Sequence, residues 1–425
     1  MSTATLGLLI GVLILVQVAA ALFLGIYRHQ AERRALGSAG RESGAGTLPQ
    51  PVAAPPSAGE LPAAWSGYRD FVVQRRVVED PGGSVCSFYL VPADGRPLPA
   101  YKPGQYLTFN LEVPDPAGGP ARSLVRCYSL SDRARPDSYR VSIKRVPAPP
   151  GRPDLPPGVV SNRFHDHIPE GARLSVRAPS GRFHLNEDGD LPIVLLAGGI
   201  GITPLLAILN TLTHRSDPRE VWLFYGVRNG SEHIMKGHLN DLKRSCPQLH
   251  LHVCYAEPGI DDELGQDYQH PGRLDIALLR RTLPFGRYEF YLCGPPPMME
   301  ALVPALEDQG VVAENIHYES FGPASLSRRT APTPAGAGSA RAISVRFSRS
   351  GKTVAWDPKA GSLLELAEAQ GIRAESGCRA GSCGCCETAV ESGDVAYTQS
   401  PDAEIAAGHC LLCIGEPASD LTLAL

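Results

Sequence analysis

Residues 192–212 read PIVLLAGGIGITPLLAILNTL: an apolar strand, a glycine-rich turn and then a helix. The pattern predicts Thr203 as the N-cap and Pro204 as the first helical residue, where a missing N–H costs nothing. Glycines at the strand end let a dinucleotide approach the backbone, and the helix N-terminus favours its phosphates. The turn is not the G-x-G-x-x-G fingerprint, because Pro204 takes the third glycine position. The glycines concerned are Gly198, Gly199 and Gly201.

The same strand–helix alternation continues on both sides of this segment and predicts a parallel α/β sheet over residues 189–322. Strands VWLFYG, LHLHVCYA and YEFYLCG alternate with helices near 232–244 and 297–310. Arg228 follows the second strand. It is either a partner for the 2′-phosphate of NADPH or a surface arginine. Because no second basic residue follows until Lys236, the sequence favours NADH.

Residues 65–188 have a different pattern. Short segments with alternating apolar and polar residues are separated by Gly and Pro, which predicts an antiparallel β-barrel. A turn at 102–105 delivers Tyr106 to the start of one strand. Arg126 and Tyr128 share one face of another strand, where a guanidinium can pair a phosphate and a ring can stack on a flavin. Ser161 is predicted to open a helix whose free N–H groups face a pyrophosphate.

Together these segments resemble the ferredoxin–NADP reductase superfamily, and most nearly the reductase half of flavohaemoglobins. The resemblance is carried by R-C-Y-S at 126–129, G-V-V-S-N at 158–162, P-S-G-R-F at 179–183, GGIGITP at 198–204, YLCGP at 291–295 and ESFGP at 319–323. The insert PAPPGRPDLPP at 147–157 departs from the pattern and leaves the geometry of its loop open.

The resemblance implies FAD and NAD(P)H as cofactors and assigns residues to each. Thr203, Cys293 and Glu319 are implied to be catalytic, with the first two near the nicotinamide. The cofactor-contact set that it implies is Tyr106, Arg126, Cys127, Tyr128, Ser129, Ser161, Gly198, Gly199, Gly201, Thr203, Arg228, Cys293, Gly294 and Phe321.

Six of the 11 cysteines lie between Cys378 and Cys413, which favours metal ligation in a reducing compartment over a disulfide scaffold. The spacing of Cys378, Cys383, Cys386 and Cys413 is the plant-type [2Fe–2S] pattern. Residues 342–425 resemble a plant-type ferredoxin domain, an α+β, β-grasp-like fold with a hairpin and a helix that ends at Gly371. Cys385 and Cys410 are alternative ligands, and a zinc site built from two C-x2-C pairs stays open.

Residues 6–26 form an apolar run that no charge interrupts and in which only Gln17 is clearly polar. At about 1.5 Å per residue the run is long enough to cross a bilayer core. The alternative is a cleaved signal peptide, but no basic residue precedes the run. Positive residues follow it at Arg28, Arg33, Arg34 and Arg41. We therefore expect a single-pass anchor in the inner membrane with the catalytic domains in the cytoplasm. Residues 27–64 and 323–341 are predicted to be linkers.

The order of the segments resembles the reductase components of oxygenases and desaturases. It implies hydride transfer from NAD(P)H to FAD and then single electrons through the cluster to a protein acceptor, such as a membrane di-iron or Rieske-type oxygenase component, a hydroxylase or a desaturase. The alternative is a membrane-tethered redox sensor with slow turnover. The net charge of −4 gives no indication of nucleic-acid binding.

Overall fold

The computed structural model describes residues 64–114, 118–148, 157–321, 343–357, 361–377, 379, 381, 383–397, 401, 403 and 405–425. The predicted anchor at 6–26, nearly all of the first linker, the second linker and the predicted ligand Cys378 lie outside these residues. Within the described ranges, no helix combines the length and the apolar character needed to span a bilayer.

The first part of the described chain is the predicted antiparallel barrel. Neighbouring strands pair in the order β4-β3-β6-β1-β2-β5, and a bridge between Leu130 and Val141 joins the two ends of the sheet. Phe71, Phe88 and Phe109 fill the interior, and a single helix adds Phe164 to this core. The elements are β1 Tyr68–Val78, β2 Val85–Pro92, β3 Tyr106–Val113, β4 Arg122–Ser129, β5 Tyr139–Lys144, α1 Val159–His167 and β6 Arg173–Ser180.

The second part is the predicted parallel sheet, in the order β10-β9-β8-β7-β11-β12. Its strands are β7 Ile193–Gly198, β8 Val221–Val227, β9 Leu249–Tyr255, β10 His270–Pro271, β11 Glu289–Gly294 and β12 Ile316–Ser320. Its helices are α2 Ile202–Arg215, α3 Lys236–Ser245, α4 Ile276–Thr282 and α5 Pro296–Asp308. Both faces of the sheet are buried, which explains the continuous apolar strands. The chain order reverses between β7 and β11, so a crevice opens at their carboxyl ends.

The last part is a smaller α+β unit with a mixed sheet in the order β14-β13-β19-β15-β17 and a second pair, β16-β18. Its hairpin is the predicted one, and the predicted helix begins after the N-cap Ser362. The elements are β13 Ser344–Phe347, β14 Lys352–Ala355, α6 Leu363–Ala369, β15 Glu387–Ser392, β16 Val395–Tyr397, β17 His409–Leu411, β18 Gly415–Pro417 and β19 Leu421–Leu423. The predicted barrel, parallel sheet and ferredoxin-like unit are thus confirmed.

Three helix starts were predicted wrongly. A 3₁₀ turn at Gly199–Gly201 leads directly into α2, so Gly201 is the N-cap and Thr203 lies inside the first turn, where its hydroxyl donates to the Ile200 carbonyl. Helix α1 begins before Ser161, whose hydroxyl donates to the Gly158 carbonyl. Helix α3 begins only at Lys236, because the preceding Met235 has a positive φ of 52°. In each case the backbone turn, not the side-chain pattern, sets the start.

Candidate flavin, nicotinamide and cluster sites

At the carboxyl ends of β7 and β11, two predicted motifs are in direct backbone contact along one side of the crevice. A Cβ atom on Gly201 would lie 2.2 Å from the Cys293 carbonyl oxygen. A Cβ atom on Gly198 would lie 2.6 Å from Pro295 Cδ. Only glycine allows the two strand ends to approach this closely. The GGIGITP and YLCGP motifs therefore form one wall, with Thr203 buried behind it.

Cys293 and Glu319 lie side by side on adjacent strands, because β11 and β12 pair in register at these residues. The Cys293 side chain is fully buried, and burial followed by the nearby Glu319 raises the pKa of its thiol. Burial also raises the pKa of the Glu319 carboxyl to about 8, although the Ser129 hydroxyl, which donates to Oε2 at 3.3 Å, lowers it. Ser129, Cys293 and Glu319 thus meet where the barrel joins the parallel sheet. At neutral pH the thiol and the carboxyl are both mainly protonated, so this cluster of three residues is uncharged.

Strand β4 carries the R-C-Y-S residues. Because side chains alternate between the two faces of a strand, Arg126 and Tyr128 lie on one face and Cys127 lies on the other. Arg126 is exposed, whereas the Tyr128 ring packs on Phe109 and Phe164 with one part left accessible. Cys127 points to the other side, and its sulfur lies 3.3 Å from the Thr108 hydroxyl. The structure therefore places Arg126 and Tyr128 together and directs Cys127 away from them.

Tyr106 begins β3 and pairs in register with Ser129. Its ring is covered by the P-S-G-R-F segment, since a Cβ atom on Gly181 would lie 2.9 Å from Tyr106 Cε1. Phe321 packs partly on the core of the parallel sheet beside β12. Both aromatic residues border the junction that holds Glu319.

The chemistry of helix α1 fits the phosphates of FAD. Arg163 follows Ser161 in this helix, and its Nε atom is buried with no hydrogen-bond partner among the residues that the structure describes. A buried guanidinium nitrogen of this kind needs an acceptor. Because a flavin pyrophosphate supplies anionic oxygens, the residues present fit the cofactor.

Arg228 lies beyond the end of β8 with its side chain 63% exposed. Two carboxylates flank its Nε atom: Glu232 Oε1 at 3.7 Å and Glu257 Oε2 at 3.9 Å. The guanidinium is therefore shared between acidic groups at the position where a 2′-phosphate is discriminated in dinucleotide-binding folds.

The cluster loop is residues 377–386. Gly381 and Gly384 have φ values of 75° and 70°, as expected for a tight loop that turns its N–H groups inward. Cys383 and Cys386 are buried, and the pKa of the Cys386 thiol is lowered, chiefly by its hydrogen bond with Cys413. Two thiolates serve each iron of a [2Fe–2S] cluster, so Cys386 and Cys413 fit as the ligands of one iron.

Among the described residues, no group of three or more His, Cys, Asp or Glu side chains could hold a single metal ion. Cys410, one alternative ligand, lies in the apolar core, and burial raises its pKa to about 12. Cys385, the other, is half-buried, and its sulfur is 3.2 Å from the position of a Cβ atom on Gly377. The paired thiols favour Cys386 and Cys413 over these alternatives.

Family models match two of the three folded units. Residues 195–303 match the family described as "Oxidoreductase NAD-binding domain", and residues 345–417 match the "2Fe-2S iron-sulfur cluster binding domain". The flavohemoprotein of Halalkalibacterium halodurans is 40% identical over 267 residues, which are 63% of this chain and 63% of that protein. The flavohemoprotein of Bordetella pertussis is 39% identical over 259 residues, or 61% of each chain. The matched region thus spans less than two thirds of these relatives.

The chain belongs to the ferredoxin–NADP reductase superfamily and carries a C-terminal [2Fe–2S] domain. It is an oxidoreductase with FAD, NAD(H) and the cluster as cofactors. In the solved structures, the FAD/NAD-binding domain of the Vibrio cholerae nitric oxide dioxygenase is 34% identical with a TM-score of 0.53, covering 60% of this chain and all of that domain. Full-length CYP116B46 from Tepidiphilus thermophilus is 27% identical with a TM-score of 0.50, covering 89% of this chain and 44% of its own.

Two arginines of this superfamily member were missed in the sequence. Arg163 directly follows the G-V-V-S-N motif, but only the burial of its Nε atom shows that this atom lacks a hydrogen-bond partner among the described residues. Arg177 lies in β6, which reads as an ordinary barrel strand, yet its Nη1 atom donates to the Cys383 carbonyl at 2.6 Å. No sequence signal marks a contact across 206 positions.

Proposed function

We propose that this chain is a membrane-anchored, NADH-dependent reductase that delivers electrons one at a time through its [2Fe–2S] domain to an oxygenase, hydroxylase or desaturase. The observation that carries the proposal is the position of strand β4. At one end Ser129 is hydrogen-bonded to Glu319 of the nicotinamide sheet. Nearer the other end, Val125 lies beside Gly377 of the cluster loop. The strand predicted to hold the flavin thus touches both the donor domain and the acceptor domain.

The residues divide the work by their chemistry. Arg126 and Arg163 would hold the phosphates of FAD, and Tyr128 would contact its ring. Protonated Glu319 keeps negative charge away from the reacting rings, and the close contact between Gly201 and Cys293 keeps water out. When bound, FAD accepts a hydride and releases electrons singly, which is the conversion that a one-electron cluster requires.

NADH is the proposed donor because of the charge around Arg228. A 2′-phosphate placed there would meet Glu232 and Glu257, both already within 4 Å of the guanidinium. A ribose hydroxyl would not be repelled, and it can donate to a carboxylate. The acidic pair therefore favours the nucleotide that lacks the phosphate.

The membrane location rests on the sequence of residues 6–26 and the arginines that follow it. An anchored reductase meets a membrane-embedded acceptor at raised effective concentration. We therefore propose the inner membrane, with the three folded units in the cytoplasm and a membrane di-iron or Rieske-type oxygenase component as the acceptor.

One experiment on the intact, purified protein tests the catalytic part. NADH is added without oxygen, followed in a second sample by NADPH, and absorbance of the flavin and the cluster is recorded. We expect NADH to bleach both and to sustain rapid reduction of an artificial one-electron acceptor. A fully loaded protein with a turnover rate near zero would instead indicate the redox sensor.

A separate experiment tests the location. A reporter that is active only in the periplasm is fused to the C-terminus of the full chain, and a cytoplasm-active reporter is fused in parallel. We expect activity from the cytoplasmic reporter alone, in the membrane fraction. Periplasmic activity would reverse the proposed topology, and activity in the soluble fraction would exclude the anchor.

A further inference from the structure

We propose that Arg177 of the flavin barrel is a positioning residue that docks the cluster loop onto the barrel and raises the reduction potential of the cluster. Arg177 lies on β6, paired in register with Tyr68 of β1 and Thr108 of β3. From this position its Nη1 atom donates to the backbone carbonyl of Cys383, a predicted cluster ligand. The barrel therefore contacts the cluster loop at the ligand itself.

The Arg177 side chain is held in place on the barrel side. Its guanidinium lies over the Tyr68 ring, 5.0 Å from the ring centroid, in a cation–π contact. Its Nε atom is buried and has no hydrogen-bond partner among the described residues. A guanidinium that gives up solvent on one side and stacks on a ring is fixed in direction, so its charge stays beside the loop.

The loop contacts the barrel on both sides of Cys383. A Cβ atom on Gly384 would lie 3.5 Å from Arg177 Nη1, and one on Gly377 would lie 3.4 Å from Val125 Cγ1. The docking surface is thus formed by Val125 and Arg177 of the barrel against Gly377, Cys383 and Gly384 of the loop. Val125 precedes the R-C-Y-S residues on β4, so the surface adjoins the predicted flavin site.

The hydrogen bond also orients the loop backbone. The peptide between Cys383 and Gly384 is trans, as are all peptides in the described residues. Its N–H therefore points opposite to its C=O. Because Arg177 holds the carbonyl toward the barrel, the Gly384 N–H faces away from the barrel, and the arginine fixes the direction of this backbone donor.

The charge has a direct redox consequence. Arginine remains protonated at all working pH values. Reduction adds one negative charge to a cluster that is already ligated by four thiolates, and a fixed cation beside the loop favours this more negative state. Arg177 therefore raises the midpoint potential and makes electron acceptance from the barrel more favourable.

This inference rests on the proposed electron route, but its test needs no turnover. Three variants of the full chain are compared. Arg177→Gln removes both the charge and the planar guanidinium donors, whereas Arg177→Lys keeps only the charge. Arg173→Gln is the control, because it removes an exposed arginine of the same strand. The midpoint potential of the cluster is measured by an EPR-monitored titration. The hydrogen exchange of residues 383–387 reports the docking contact.

For Arg177→Gln we expect about a tenfold fall in the ratio of reduced to oxidised cluster at a fixed potential, or about 59 mV for a one-electron couple. Exchange in residues 383–387 should become faster. Arg177→Lys should restore most of the potential but not the slow exchange, and Arg173→Gln should keep wild-type values.

The inference is overturned if Arg177→Gln leaves both potential and exchange unchanged, or if Arg173→Gln shifts the potential equally. Failure of the proposed function looks different. In that case the wild-type cluster is not reduced by NADH, while the potential still depends on Arg177.

Discussion

The junction between the barrel and the parallel sheet is largely buried and uncharged at neutral pH, whereas the junction between the barrel and the cluster loop is held by a permanent cation. The first brings together Ser129, Cys293 and Glu319, with the carboxyl kept protonated by burial. The second rests on Arg177 and the Cys383 carbonyl. Both touch β4, so one strand of the barrel serves two interfaces of opposite character.

The difference matches what crosses each junction. Hydride transfer needs reacting atoms in near-contact and excludes water, and a packed, neutral wall provides both. The electron that leaves for the cluster adds negative charge to the acceptor, so a fixed cation helps. We therefore expect changes at each junction to impair one half of the reaction and spare the other.

The largest effect is expected from Cys386→Ser, which removes a predicted iron ligand. The cluster should be lost completely, while NADH still reduces the flavin, because the nicotinamide junction is untouched. EPR of the reduced protein and anaerobic flavin absorbance measure the two halves. Cys410→Ser is the matched control and should keep the cluster. Loss of the cluster in Cys410→Ser, with retention in Cys386→Ser, would reverse the ligand assignment.

Gly201→Ala should damage the other half. A Cβ atom there would lie 2.2 Å from the Cys293 carbonyl oxygen, so the strand ends must separate. We expect about a hundredfold slower flavin reduction by NADH in stopped-flow, and a loss of about 1–3 kcal/mol in the free energy of unfolding. Dithionite should still reduce the cluster fully. Gly237→Ala, where the Cβ atom meets open space, should behave as wild type; equal damage there would show that the contact is unimportant.

Glu319→Gln sharpens the claim that the nicotinamide junction is neutral. With the pKa of Glu319 at about 8, flavin reduction in the wild type should be about tenfold slower at pH 9 than at pH 7, because a carboxylate opposes arriving hydride. The Gln variant should show a flat profile over this range in stopped-flow. An unchanged profile in the variant would assign the titration to another group.

The raised pKa of Glu319 also predicts how the free energy of unfolding depends on pH. Its native pKa lies above the ordinary value of 4.5, so the native state holds a proton that the unfolded state has released. The free energy of unfolding should therefore fall as pH rises from about 4.5 to 8. Urea unfolding of Glu319→Gln should lack this part of the pH dependence. An identical pH dependence in both proteins would contradict a carboxyl that stays protonated in the native state.

The smallest effect concerns the nucleotide. Glu257→Gln removes one of the carboxylates beside Arg228 and should raise kcat/KM for NADPH about three- to tenfold while leaving NADH nearly unchanged, since both groups are solvent-screened. Glu220→Gln, an exposed acid on the other end of the sheet, should change neither value. Equal gains for both nucleotides would show that Glu257 does not discriminate them.

The strands could be predicted from sequence because alternation and continuous apolar runs record burial directly. The predicted strand YLTFNLEV matches β3 at both ends. The predicted strand VWLFYG is one residue shorter than β8. Helix starts could not be predicted as well. The 3₁₀ turn at Gly199–Gly201 depends on backbone conformation, whereas Thr203 is a good N-cap residue by type, so the sequence predicted the helix start two residues too late.

The candidate site divides in the same way. Residues within motifs, such as Cys293 and Glu319, were found because each motif is local. Arg177 was missed because its role depends on Cys383, which lies 206 positions away in the chain and belongs to a different folded unit. Cys127 could not be separated from Arg126 and Tyr128 by motif alone, although strand alternation already places it on the opposite side.

The most direct test is rapid mixing of the intact protein with NADH, with flavin absorbance and cluster EPR followed in the same samples. It asks whether hydride first reaches the flavin across the barrel–sheet junction and electrons then reach the cluster across the barrel–loop junction. We expect the flavin to bleach first and the reduced cluster to appear afterwards, with Arg177→Gln slowing only the second phase. A cluster that dithionite reduces but NADH never does, or one that is reduced before the flavin, would contradict it.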